Sequence, residues 1–132
     1  MSPRKLVTRR ADPGQAKTRR RIAQKYLEVA EIVADEDGTA VNVCVGLAVL
    51  AGIAAGDAIC IVATGERYAG TDHAAAAELL RRVDSDLGQQ LRRLIEFKPG
   101  SHYGDRLLTS GDRKSALHSA RVLVLAAIER GG

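Results

Sequence analysis

The segment Arg67-Tyr68-Ala69-Gly70-Thr71-Asp72-His73 holds an arginine and a histidine with a short polar stretch between them. Arginine supplies a permanent planar cation that fits a phosphate, and histidine can move a proton near neutral pH. Asp72 or Thr71 suits a helix N-cap, which puts His73 in a first helical turn, where backbone N–H groups attract anions. These are the parts of a metal-free phosphodiester cleavage site. Arg67 would hold the scissile phosphate and stabilise the transition-state charge. His73 would act as general acid or base while an RNA 2′-OH attacks phosphorus. A purely structural loop uses the same residues, with Asp72 as cap and Arg67 paired to Glu66 or Asp72. Asp57 is one of the few polar side chains in a long apolar run. It would either orient and charge-balance this site or satisfy backbone groups near the loop. A second pair, Arg113 and His118, stands about 140° apart on a regular helix, so these two would only flank a groove.

Other chemistries are poorly served. His73, His102 and His118 fall in different elements with no Cys or carboxylate at ligand spacing, so no metal and no cofactor is expected. No strand precedes a glycine cluster, which removes the phosphate-binding glycine loop. One Phe, three Tyr and no Trp cannot build an aromatic platform for single strands. Cys44 and Cys60 share one apolar helix about 24 Å apart, too far to bridge. Reduced thiols point to a cytoplasmic protein.

The elements that must position these residues read as helices. The chain has 132 residues, enough for one domain, and its apolar content comes from Ala, Leu, Val and Ile. Residues 1–14 hold Pro3, Pro13 and Gly14 without apolar periodicity and read as a flexible basic arm, with residues 15–132 as the folded body. Residues 1–25 carry nine basic side chains against Asp12 alone, whereas the rest carries 11 basic and 15 acidic groups. Such an arm fits RNA or another nucleic acid, and Arg4, Lys5, Arg9, Arg10, Lys17, Arg19, Arg20 and Arg21 are the candidate contacts. A first helix is expected over 15–35, stopped at Gly38, and a second from Thr39 to about Gly65. The apolar run of the second is too short around Asp57 to favour a membrane span, so it reads as the buried centre of a bundle. A third helix is expected from His73 to Phe97, with Gly88 a weak point. A fourth follows an N-cap at Ser110 or Asp112. Short links imply an antiparallel up-down four-helix bundle. Its geometry gathers the arm, Arg67 and His73 at one end, and Asn42, His102, Tyr103 and Arg113 at the other. The small face of Gly46, Gly52 and Gly56 invites a neighbouring helix or a second copy.

From about Arg20 to Ile128 the chain resembles the HEPN superfamily of small helical bacterial proteins. The resemblance rests on Ala54-Ala55-Gly56-Asp57-Ala58-Ile59-Cys60, on Gly65 through Ala74, and more weakly on Lys98 with His102-Tyr103-Gly104 and the last helix. It implies an all-α HEPN-like bundle, commonly dimeric, in which an Arg and a His four to six residues later cleave RNA without metal. Arg67/His73 and Arg113/His118 both satisfy that spacing. Where a Tyr often follows the His by two residues, this chain has Ala75 and Ala120. The resemblance therefore implies either a metal-independent endoribonuclease of a toxin–antitoxin or defence module, or a non-catalytic binding or antitoxin-like partner. In the second case the basic arm would contact nucleic acid or an acidic protein.

Overall fold

A computed structural model describes residues 6–131; Arg4, Lys5 and the side chain of Tyr103 lie outside the described residues. The order is β1 (Thr8–Arg10), α1 (Pro13–Ile32), α2 (Thr39–Thr64), β2 (Glu66–Tyr68), α3 (His73–Val83), α4 (Ser85–Glu96), α5 (Lys98–Tyr103) and α6 (Ser110–Gly131). Among the described residues the protein is all-α apart from one short ribbon.

For residues 6–14, the described part of the expected flexible arm 1–14, that ribbon shows an ordered path instead. β1 pairs antiparallel with β2, matching Thr8 with Tyr68, Arg9 with Arg67 and Arg10 with Glu66. Flanking bonds from Ala69 N–H to the Val7 carbonyl (2.9 Å) and from Ala11 N–H to the Gly65 carbonyl (2.9 Å) extend the tie. Leu6 packs on the core. α1 then starts at once. The Asp12 side chain accepts from Gln15 N–H, and the Gln15 side chain accepts from Asp12 N–H, both at 2.8 Å. This reciprocal cap satisfies two otherwise orphaned donors, and Pro13 suits the first turn because it has no N–H to lose.

α1 and α2 pack antiparallel along a seam of small side chains. Ala16, Ala23 and Ala30 recur every seven residues on α1 and are at most 4% exposed. On α2 the steps of four and three through Cys44, Ala48, Ala51, Ala55 and Ala58 present a matching small face, also buried. The Cys44 thiol donates to the Ala30 carbonyl (3.3 Å), and Arg19 reaches Asp57, which fixes the alignment of the two helices. α2 is long and apolar enough to cross a membrane, but 78% of its most apolar window is covered by the rest of the chain.

The glycine face of α2 is filled from within the chain, which removes the basis for placing a second copy there. His102 packs at Gly46, Leu94 and Leu123 at Gly52, and Leu91 and Leu80 at Gly56. Gly38 and Gly65 have φ of 69° and 77°, where an L side chain is strained. Gly38 serves as the N-cap of α2; α1 has already ended at Ile32.

The expected third helix is two helices. Asp84 is extended (φ −152°, ψ 114°), and its side chain accepts from Leu87 N–H (3.1 Å), so it ends α3 and caps α4. Gly88 is the point where the two helices touch rather than a weak spot: an added Cβ would lie 2.5 Å from the Arg81 Cα. Pro99 fits the first turn of α5, so the Phe97–Gly100 stop is followed by another short helix. The cap of α6 is Thr109 rather than Ser110 or Asp112: Thr109 N–H donates to the Asp112 carboxylate (2.9 Å), and Asp112 N–H to the Thr109 hydroxyl (3.0 Å).

The start of α1, the end of α2 and the end of α6 share one end of the bundle, as Arg19–Asp57 and the approach of Val62 to Gly131 show. The start of α3 does not join them. His73 lies against Lys98, which opens α5, and His102 one turn later packs on Gly46. Gly46 is roughly 16 Å along α2 from Asp57. The opposite end gathers Asn42, which bonds the Arg106 carbonyl and Leu108 N–H, and Arg113, which reaches the turn after α1.

Gly88→Ala should be among the most damaging single-methyl additions, because backbone rather than a movable side chain stands in the way. We expect a loss of about 1–3 kcal/mol in urea unfolding, against little change for Gly111→Ala, where the nearest atom would be 3.7 Å away. Equal midpoints for the two variants would show that α3 and α4 can part without penalty.

Candidate functional site

Asp57 is where α1, α2 and β2 meet. It is 7% exposed, and Oδ2 receives Arg19 Nε and Nη2, each at 3.1 Å, with Arg67 Nη2 at 3.6 Å. Burial outweighs the two guanidinium groups and holds its carboxyl above the usual carboxylate range. Burial, aided by the negative charge of Asp57, pushes the Cys60 thiol up to about 12. Cys44 is raised as well, chiefly by burial, and both thiols are free. Neither has the character of a nucleophile. The structure brings Asp57 and Arg67 together and adds Arg19, one of the candidate phosphate contacts, as a second cation.

The ribbon and α1 give part of the basic segment an ordered backbone, from which Arg9 and Arg10 leave on opposite faces of β1. Arg9 and Arg10 on β1, and Lys17 and Arg21 on α1, are exposed, while Arg20 is half-buried. Acidic neighbours are engaged elsewhere: Asp12 caps α1, and Glu66 accepts from the Thr8 hydroxyl (3.1 Å). An open groove of about 670 Å³ runs beside this corner, lined by Arg10, Gln15 and Thr64 and also by Asp12 and Glu66.

His73 and Arg67 have different partners. Of the two expected caps, Asp72 and Thr71, it is Asp72 that caps α3, its side chain accepting from Ala74 N–H (3.0 Å), and His73 occupies the first turn. The imidazole Nε2 faces the Lys98 ammonium. Burial first, then Lys98, lowers the His73 pKa; Asp72 opposes and His102 adds to the lowering. A neutral ring can accept a hydrogen bond from Lys98 through Nε2. His102 brings its own Nε2 to 3.4 Å from the Gly46 carbonyl. Sequence reading did not join Lys98 and His102 to His73, although four-residue spacing on a helix puts the first two on one face.

Thus Arg67 is tied to Asp57, His73 to Lys98, and no hydrogen bond or ion pair joins Arg67 to His73 among the described residues. The second pair also diverges. Arg113 turns to the Glu36 carbonyl (2.5 Å) and Asp37 (3.9 Å). His118 is exposed and lines a groove of about 380 Å³ between α4 and α6 with Arg93, Phe97 and Ser115. Among the described residues no group of three or more His, Cys, Asp or Glu could hold a metal ion. No protein-family model matches the chain, and no curated protein is significantly similar to it in sequence.

The Asp57 node carries a signed pH dependence. The folded chain holds this proton more tightly than the unfolded chain does. Wild type should therefore lose stability relative to Asp57→Asn as pH rises from about 4, the unfolded value, through the raised folded value. Above that the difference should be flat. Urea midpoints of both proteins across the acid range decide it: a difference that instead grows in favour of wild type would mean that the arginines outweigh burial.

Proposed function

We propose that the protein is a HEPN-like RNA-binding protein that grips the phosphate backbone with the surface formed by β1 and the first half of α1. The observation that supports this most is the ordering of Arg9, Arg10, Lys17 and Arg21 as exposed cations on a ribbon and a capped helix, with the nearby carboxylates of Asp12, Asp57 and Glu66 engaged in the fold. Cations held in place lose less freedom on meeting a phosphate chain than cations on a free arm. They contact any sequence, because phosphates carry no base information.

Binding is favoured over cleavage. Arg67 spends its guanidinium on Asp57, and Arg113 spends its own on the turn after α1. The accompanying proposals, a homodimer and a toxin or antitoxin partner protein, rest on the resemblance alone.

Filter binding of a generic single-stranded RNA across a salt series tests the reading. Replacing Arg9 and Arg10 by Ser should weaken binding and flatten the plot of log affinity against log salt by about 1.4. That is two lost phosphate contacts at ~0.7 each for a single strand. The exposed side chains should leave the melting temperature nearly unchanged. An unaltered slope would remove β1 from the interface, and no salt-sensitive binding by wild type would end the RNA reading.

A further inference from the structure

Three half-buried arginines among the described residues reach carboxylates. Arg19 and Arg67 share Asp57, and Arg113 reaches Asp37. Lys98 is half-buried too, yet its ammonium meets the imidazole of His73, and no carboxylate pairs with it among the described residues. One helical turn further along α5, His102 stands on the same face, seated against Gly46 of α2. His102 also acts electrostatically on His73, so an ammonium and two imidazoles stand near the start of α3. The acid of this corner is Asp72, and one of its oxygens accepts Ala74 N–H. All three side chains keep partial access to solvent.

We propose that Lys98, His73 and His102 form a binding site for a phosphate group. Lys98 offers three donors, of which His73 can take only one. An ammonium and protonated imidazoles together suit the oxygens of a tetrahedral dianion, giving the charge-assisted bonds that are the strong ones. A metal ion is the wrong occupant, since these residues assemble no ligand set for one. The charged and titratable groups that act on His73 are Lys98, Asp72 and His102, and α2 adds the Gly46 carbonyl beside His102. A bound phosphate would offset the repulsion from Lys98, so His73 would take up a proton as the site fills and become a donor itself.

The site is separate from the basic surface of β1 and α1, and the inference stands whether or not that surface binds RNA. The test is a titration of the full chain with inorganic phosphate at constant ionic strength, following histidine ring signals by NMR. His73 and His102 should shift saturably at millimolar phosphate but not with chloride, while the exposed His118 stays still. The His73 pKa should rise by about one to three pH units, the range that an opposite charge at hydrogen-bonding distance produces. Lys98→Ala and Lys98→Gln should abolish the effect, Lys98→Arg should retain it, and Arg9→Ser with Arg10→Ser should not alter it. Unmoved His118 signals report that each variant is folded. Adenosine monophosphate, and RNA oligomers with a 5′-phosphate or a 5′-hydroxyl, then tell a free nucleotide from an RNA end. Histidine signals that follow ionic strength alone, or the same phosphate response after Lys98→Gln, would overturn the proposal.

Discussion

The packing of α1 on α2 uses alanine against small residues, and this closeness sets the terms for everything else. Ala16, Ala23 and Ala30 face a stripe of Cys44 and alanines, so the contact is continuous but almost featureless. A seam of similar side chains with a seven-residue repeat does little to forbid a slip by one repeat, because a shifted helix meets nearly the same surface. Polar groups must then choose the register. Asp57 does so from the α2 side: only the observed alignment brings Arg19 to it, and any slip would bury a carboxylate without that cation. The capping box at Asp12 fixes where α1 begins, so it sets how far Arg19 lies from the chain's entry into the bundle.

The same node explains why the amino-terminal segment is ordered. Arg67 leaves β2 to join Asp57, which holds β2 over the end of α2, and β2 then offers its edge to Thr8–Arg10. Isolated two-stranded ribbons are marginal in water, so this one needs the core beneath it. Leu6 and Tyr68 supply that contact. The basic side chains of β1 are therefore presented by a buried ion pair several residues away, and the charge of the surface depends on a carboxylate hidden below it.

What could be read from the sequence was whatever had a period or a cap. The helical runs, the central position of α2, the Asp72 cap and the approach of Asp57 to Arg67 all follow from local spacing or from polar residues in apolar surroundings. The ribbon left no trace because three-residue strands carry no alternation to detect, and Arg9-Arg10 looks like solvated chain. The break at Asp84 had its signal in Asp84-Ser85-Asp86, an N-cap followed by an acidic first turn, masked by apolar spacing that continues through it. The meeting of His73 with Lys98 was not legible, since it depends on α3 starting alongside α5 instead of at the end of α2. Loop length fixes the distance a chain can span, not the direction it takes. An Arg and a His close in sequence were thereby drawn to different partners.

One link between those two places, among the described residues, is the side chain of Tyr68. Tyr68 is the last residue of β2, next to Arg67, and its hydroxyl accepts Asp72 N–H (3.0 Å). Gly70 lets the loop fold over that ring, since a Cβ there would overlap the Tyr68 hydroxyl. Asp72 in turn caps α3 and acts electrostatically on His73. One path from the ribbon to the imidazole therefore runs through a tyrosine hydroxyl and an aspartate. Moving β2 relative to α2 would shift the Asp72 cap, and with it the charge nearest His73 that opposes Lys98. The basic surface and the Lys98 corner are separate in chemistry but joined in mechanics, by a short loop that is held at both of its ends.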